Sequence, residues 1–459
     1  MIEGLKPYPA YKASGLPWTD LVPRHWGLLP NRALVRKRKV LVGKQHHNYR
    51  LLSLTKQGVI VRDVASGKGK FSSDMGTSQE VRVGDLVFCL FDVPETPRTV
   101  GISAHAGMIT GAYTVFESIS PKTGGYFDLF YRAMDDRKLL SPLYSGLRNT
   151  IPPGRFLGTK TPQPPFEEQA VIVRFLDHAN RRIDRSIRAK RKLIALLNEQ
   201  KQAVIHRAVT GGLEPNVAVL ERGQFLGRIP TQWTMLRAKL LFQQVVPPIP
   251  EHAEQVTCFR DGQVTLRRNR RTTGFTNAIW ELGYQGIAPG QLVLHSMDAF
   301  AGAIGVSDSA GKCSPEYVIC EPAIEGVFPP FYASLLRSLA LRGLFVALCP
   351  SVRERAPRIR FSHFGDFALP KPPIAEQKAI VEHILGSCRG IDASLSTVRR
   401  EISLTQEYRT RLVADVVTGQ LDVREAAARL PDEEPEAEGE EVASGTNKEE
   451  DGEPEEMAE

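Results

Sequence analysis

Between Pro165 and Gly211 the chain has neither proline nor glycine, and its apolar residues recur by threes and fours: Ile183, Ile187, Ile194, Leu197, Val204 and Ala208. This heptad-like spacing predicts a helix that packs along its length on another helix. Pro164-Pro165 forces an extended entry, Glu167 and Glu168 occupy the first turn where the macrodipole favours them, and Thr210-Gly211-Gly212 supplies a stop. The predicted helix, residues 166–209, is roughly 65 Å long at 1.5 Å per residue. The same stripe returns 208 residues later as Ile391, Leu395, Val398, Ile402, Leu412 and Val416. Pro164-Pro165-Phe166-Glu167-Glu168-Gln169 is answered by Pro372-Pro373-Ile374-Ala375-Glu376-Gln377, and Val209-Thr210-Gly211 by Val417-Thr418-Gly419, without a gap. Lys190 and Lys201 interrupt the first stripe, and Thr405 and Arg409 the second. A long helix cannot bury such a stripe alone. The economical arrangement is that the two copies pack on each other, antiparallel.

Before each helix lies a stretch with strand and turn character. Residues 51–55, 58–61 and 85–88 read as short strands in the first stretch, and 291–294 in the second. These stretches repeat too, but only at framework positions. Val22-Pro23-Arg24-His25-Trp26 answers Ile229-Pro230-Thr231-Gln232-Trp233, and Val83-Gly84-Asp85-Leu86-Val87 answers Pro289-Gly290-Gln291-Leu292-Val293. Gly101-Ile102-Ser103 answers Gly305-Val306-Ser307, and Tyr113-Thr114-Val115 answers Tyr317-Val318-Ile319. The expected fold is α+β: two globular mixed α/β domains joined by two long antiparallel coiled-coil-like helices, with a pseudo-two-fold internal repeat. The expected order is domain 1–163, helix 164–212, domain 213–371, helix 372–428 and tail 429–459. Scaffold is held constant between the copies while the surfaces differ.

Charge adds a second asymmetry. Residues 431–459 hold fourteen Asp/Glu and one Lys, a net charge of −13, which leaves +20 on the rest. A body that basic points to a polyanionic partner. The tail is Pro-, Glu- and Gly-rich, and its composition predicts disorder; it reads either as a solubilising tail or as a competitor of nucleic acid for the basic surface. No apolar run is long enough for a membrane span, and the first residues lack the apolar core of a signal peptide. The expected location is the cytoplasm. Six scattered cysteines with no C-x-x-C spacing read as reduced, buried thiols.

Motifs for catalysis are missing. There is no Asn/Asp-Pro-Pro-aromatic motif of amino-methyltransferases, no H-E-x-x-H or zinc-finger spacing and no Gly-x-Ser-x-Gly elbow. Val306-Ser307-Asp308-Ser309-Ala310-Gly311-Lys312-Cys313 fails as a P-loop, because Val306 stands where a glycine is needed and Cys313 replaces Ser/Thr. A turn between strands is expected there.

Several segments together resemble the specificity subunit of type I restriction–modification systems. They are Tyr8-Pro9-Ala10-Tyr11-Lys12-Ala13-Ser14-Gly15 with Trp18 and Val22-Pro23-Arg24-His25-Trp26, the run from Leu294-His295-Ser296-Met297-Asp298-Ala299-Phe300 to Ser314-Pro315-Glu316-Tyr317, the Pro-Pro-x-x-Glu-Gln helix starts and the Thr-Gly helix ends. The resemblance covers residues 5–428. The first domain departs from it where Leu90-Phe91-Asp92-Val93-Pro94-Glu95-Thr96-Pro97 replaces the Met297-Asp298-Ala299-Phe300 motif. The resemblance implies two target recognition domains, each reading one half of a bipartite asymmetric site in double-stranded DNA. It implies helices that set the spacer and dock two copies of an adenine methyltransferase subunit, with restriction/translocase subunits joining. No cofactor is expected on this chain; S-adenosylmethionine, ATP and Mg are expected on the partner subunits. A coiled-coil protein scaffold without sequence-specific DNA binding is the competing reading.

DNA contact needs cations for phosphates and planar donors for base edges. Four clusters qualify: Arg36, Lys37, Arg38 and Lys39 with Lys44, His47, Asn48, Tyr49 and Arg50; Lys68 and Lys70; Arg267, Arg268, Asn269, Arg270 and Arg271; and Arg353, Arg355, Arg358 and Arg360. His46-His47 reads as DNA-facing or solvated rather than metal-binding. Arg181, Arg182, Arg185, Arg188, Lys190, Arg191 and Lys192 add a basic stretch on the first helix, open to phosphates or to an acidic methyltransferase surface.

Overall fold

A computed structural model describes residues 5–62, 75–270, 282–349 and 358–431. They form two compact units, one of residues 5–190 with 400–431, the other of residues 191–399. Each unit therefore contains one globular domain and a stretch of each long helix. Among the described residues no helix is long and apolar enough to cross a membrane.

The first unit is built on a four-stranded antiparallel sheet in the order Val35–Arg38, Thr114–Ser118, Leu86–Phe88, Val100–Ile102. Two antiparallel pairs flank it, the hairpin Leu52–Thr55 with Gly58–Val61 and the pair Gln79–Val81 with Gly107–Ile109. Helix α1, Pro121–Asp136, packs Tyr126, Phe127, Phe130 and Tyr131 against Phe88, Phe116 and Phe156. Full burial of each such ring stabilises by about 1.5–3 kcal/mol. The core closes with Leu412, Ala414, Val416 and Val417 near the end of the last long helix.

Helix α2 spans Phe166–Gly211. It runs two residues beyond the sequence expectation because the left-handed turn is taken by Gly212, at φ +73°. The second unit repeats the first. Its sheet order is Phe242–Val245, Tyr317–Pro322, Leu292–His295, Ile304–Val306, the same order and the same antiparallel sense. Flanking pairs recur as Val256–Cys258 with Val264–Leu266 and Gln285–Ile287 with Gly311–Cys313. Helix α3, Pro329–Leu341, takes the place of α1, setting Phe331 edge-on to Trp233 at 6.4 Å as Tyr126 stands to Trp26 at 6.3 Å. The segment that failed as a P-loop is, as expected, a turn, here between the strands Ile304–Val306 and Gly311–Cys313.

Helix α4 spans Ile374–Val417. None of the predicted stripe positions on α2 or α4 is exposed. Ile183, Ile187, Leu395, Val398, Leu412 and Val416 are buried; Ile194, Leu197, Val204, Ile391 and Ile402 are half-buried. Three of the four polar interruptions pair across the two helices, while Thr405 donates to Glu401 O on its own helix. In the first unit Arg409 Nη1 lies 2.6 Å from Asp184 Oδ1, and Lys190 meets Glu401; in the second Lys201 Nζ lies 2.6 Å from Asp392 Oδ1. Ascending positions on α2 meet descending positions on α4, so the pairing is antiparallel. Exposed ion pairs contribute about 0–1 kcal/mol each, so these fix register more than they stabilise.

The two repeated motifs flanking each helix meet in space. In the second unit Glu376 Oε2 accepts the Trp233 indole N–H at 3.1 Å. In the first, Glu168 Oε1 accepts the Trp26 indole at 3.0 Å and the Tyr8 hydroxyl at 2.6 Å, with His25 Nε2 2.8 Å from Oε2. Gln169 and Gln377 each donate to the carbonyl of the first proline of their motif, at 2.8 Å. The helix-end glycines abut the tryptophans. A Cβ on Gly419, at φ +77°, would lie 2.3 Å from Pro23 and 3.0 Å from Trp26; one on Gly212 would lie 3.2 Å from Trp233.

Candidate nucleic-acid interface

A set of framework hydrogen bonds recurs in both domains. Gln79 and Gln285 each donate to the carbonyl of their repeat's tyrosine, Tyr113 and Tyr317, at 2.7 Å. Arg82 N–H donates to Asp85 at 2.6 Å, and Ala288 N–H to Gln291 at 2.8 Å. Ser103 and Ser307 hydroxyls donate to the carbonyls of His105 and Ser309, at 2.7 and 2.8 Å. Met108 N–H donates to Arg50 O and Lys312 N–H to Glu254 O, at 2.8 and 2.9 Å; Arg62 N–H donates to Leu51 O and Arg267 N–H to Gln255 O, both at 2.8 Å. These bonds align the domains where sequence identity has gone. On that alignment Arg50 corresponds to Glu254, Glu80 to Gly286, Arg82 to Ala288, His105 to Ser309, and Arg62 to Arg267.

The predicted basic residues fall into three groups. Arg36, Lys37, Lys39, Lys44, His47 and Arg50 are exposed on the first domain, on and after the edge strand Val35–Arg38. Arg38 belongs elsewhere, contrary to its expected place with them. Its side chain is 10% exposed, its guanidinium is 2.9 Å from Glu80 Oε2, and it also contacts Asp85. A buried cation of that kind serves the fold, because two carboxylates already hold its Nη groups. At the equivalent site the second domain has Val245, and Gln291 donates instead to Glu321 at 2.7 Å.

The cluster at Arg267 lies on a single 3-10 turn and is knitted into its own domain. Arg267 Nε donates to Thr257 at 3.2 Å, Arg268 meets Glu254 at 2.7 Å and Asn269 donates to Thr265 at 2.8 Å. Arg270 meets Asp261 at 2.7 Å and stacks over Phe259 at 4.3 Å. The Arg268 and Arg270 pairs are at the surface, where phosphate can displace a carboxylate at little cost. Arg358 is exposed, 3.6 Å from Glu316 Oε1. Lys68, Lys70, Arg271, Arg353 and Arg355 lie outside the described residues. The exposed basic face of α2 shows its field at His178, where burial and then Arg182, Arg181 and Arg185 hold the imidazole below its usual range.

Sequence reasoning missed Arg62, Arg82, His105 and Glu254. The Gly101-Ile102-Ser103 match, carried two residues further, places His105 opposite Ser309. The correspondence of Arg62 to Arg267 was hidden because loop-length differences shift the offset between copies. Asn48, Tyr49, Arg50, Arg82 and His105 line one surface groove of about 510 Å³ in the first domain. The departure from the family pattern near Leu90 is local. Ile151 N–H donates to Leu90 O at 2.8 Å as Ile359 N–H donates to Ser296 O at 3.0 Å, so the longer loop starts from the same anchor.

All six cysteines are buried and unbridged, and burial pushes the Cys313 and Cys320 thiols up to about 12. Among the described residues no group of three or more His, Cys, Asp or Glu could hold a metal ion.

No family model and no curated protein matches the chain in sequence. Solved structures do match. One, described as the structural basis underlying complex assembly and conformational transition of the type I R-M system, aligns at TM-score 0.57 and 13% identity, over 86% of this chain and 98% of that one. The HsdS subunit from Thermoanaerobacter tengcongensis aligns at TM-score 0.41 and 13% identity over 86% and 96%, and the type I restriction-modification S subunit from M. genitalium at 0.33 and 12% over 87% and 98%. With one topology built twice, two long antiparallel helices and the first of these alignments spanning nearly all of its counterpart, the chain has the fold of a type I R-M system chain.

Proposed function

We propose that the chain is the DNA-recognition subunit of a type I restriction–modification complex, non-catalytic by itself. Each domain reads one half of a bipartite, asymmetric site, and α2 and α4 set the distance between halves and dock two copies of an adenine methyltransferase subunit. S-adenosylmethionine, ATP and Mg belong to the partner subunits on this reading, and restriction/translocase subunits complete the assembly. One observation carries it: a framework with the same strand order and recurring hydrogen bonds presents different exposed side chains in its two copies. A duplicated scaffold serves near-symmetric partners, and diverged surfaces serve two different words. The exposed Arg36, Lys37, Lys39 and Lys44 and the α2 cations supply phosphate contacts.

Co-expression with the methyltransferase subunit, followed by genome-wide mapping of methylated adenine, tests the proposal. A bipartite motif with a fixed spacer supports it; methylation without a bipartite motif refutes it. A coiled-coil scaffold without DNA recognition predicts partner binding that is insensitive to salt. DNA recognition predicts affinity that falls steeply with salt.

A further inference from the structure

Arg50 and Glu254 occupy one position in two copies of one backbone. The Arg50 carbonyl is held by Met108 N–H and the Glu254 carbonyl by Lys312 N–H. The strand behind each is pressed so close that a Cβ on Gly107 would lie 2.4 Å from Arg50 O, and one on Gly311 2.4 Å from Glu254 O. The main chain makes the same hydrogen bonds and close approach in both copies, so the difference here lies in the side chains, and it is a reversal of charge. Both side chains are exposed. The neighbours change with them. Arg82 and His105 share the groove with Arg50. The second domain has Ala288 and Ser309 at those positions, and Gly286 where the first has Glu80. The Pro248 carbonyl fills the space there, 2.0 Å from where a Cβ would sit. One copy thus offers a cationic planar donor, the other an anionic acceptor. Arg268, 2.7 Å from Glu254, orients that carboxylate while leaving it at the surface.

In the major groove, arginine clamps guanine O6 and N7 bidentately, and glutamate accepts from cytosine N4. We infer that Arg50 and Glu254 are equivalent specificity-determining positions, Arg50 selecting guanine in one half-site and Glu254 selecting cytosine in the other. This rests on the reading that each domain reads one half-site.

The test is selection of bound sequences from a fully randomised duplex library by the full chain, as wild type, Arg50→Ala, Arg50→Lys and Glu254→Gln. The expected wild-type result is a bipartite motif. Arg50→Ala lowers discrimination for guanine at one position of one half by about 10-fold or more and leaves the other half unchanged. Arg50→Lys lowers it less than Arg50→Ala, because an ammonium can still reach O6 and N7 but lacks the planar fork of the guanidinium. Glu254→Gln flattens one cytosine position in the other half. A wild-type motif retained by Arg50→Lys, with Arg50→Ala weakening all sequences uniformly and lowering the salt slope, makes Arg50 a phosphate contact and overturns the inference alone. Changes in both halves from one substitution also overturn it. A wild type that enriches no bipartite motif overturns the half-site reading and this inference with it.

Discussion

Removing the carboxylate of Glu168 should unsettle the first unit far more than the same change at Glu376 unsettles the second, although both glutamates belong to one repeated motif. Glu168 is buried and its Oε1 accepts from Tyr8 and Trp26, themselves buried at 4% and 1% exposure. Burial first, then the hydrogen bond and charge of Glu168, hold the Tyr8 phenol well above its usual range. Glu168→Ala strands both donors, at about 1–3 kcal/mol each, so a loss of about 3–5 kcal/mol follows once packing of the side-chain stem is included. Glu376 is half-buried and holds one indole, so Glu376→Ala should cost about 1–2 kcal/mol. Glu168→Gln keeps an oxygen for the two donors and offers an amide N–H toward His25, so it should cost about 1 kcal/mol. Two units need not unfold together, so the measurement is urea-dependent hydrogen exchange resolved by peptide, read separately for each unit. Equal losses from Glu168→Ala and Glu376→Ala would refute the reasoning, as would a Gln variant no better than the Ala variant.

Other outcomes follow from the same geometry. Arg38→Ala should lower stability by about 3 kcal/mol, since it leaves the buried Asp85 without its cation and Glu80 with Arg82 alone; Arg36→Ala should leave the Tm unchanged and weaken DNA binding at low salt, which thermal melts and binding isotherms separate. Gly419→Ala should be worse than Gly212→Ala, because both need a left-handed backbone but only the Gly419 Cβ overlaps a proline ring; the ordering is read from urea midpoints. Hydrogen bonding to His295 and then Arg260 holds Asp298 at about 2. Its contribution is complete above the unfolded value near about 3.9, and is lost as pH falls toward 2. An Asp298→Asn variant should therefore show a shallower acid limb, by at most about 1 kcal/mol after screening. If the chain acts as proposed, matched one-heptad insertions in α2 after Lys190 and in α4 before Arg400 should lengthen the methylated motif's spacer by about 3 base pairs, roughly 10 Å of helix, and leave both half-sites unchanged.

Much of this architecture was legible in the chain because it is periodic or repeated. The long helices announced themselves by stripe, entry prolines and stop glycines, and every stripe residue is at least half-buried in the structure. Strands at 58–61 and around 86–88 and 292–295 followed from local composition. The basic clusters were legible as charge but not as availability. Arg38 looks like its neighbours in sequence, and only the fold brings Glu80 and Asp85, more than forty residues on, against its guanidinium. The Arg267 cluster proves to be tied to Thr257, Glu254, Thr265 and Asp261.

By itself the sequence determined that one unit is used twice and that its helices must find each other, since hydrophobic spacing and backbone-breaking residues act over neighbouring positions. Tertiary structure decided which residues of the two domains correspond. Loops of unequal length had shifted the offset, and only backbone hydrogen bonds between distant strands set Arg50 opposite Glu254 and Arg62 opposite Arg267. Correspondence of that kind is a long-range property, fixed by strand pairing rather than by any local signal.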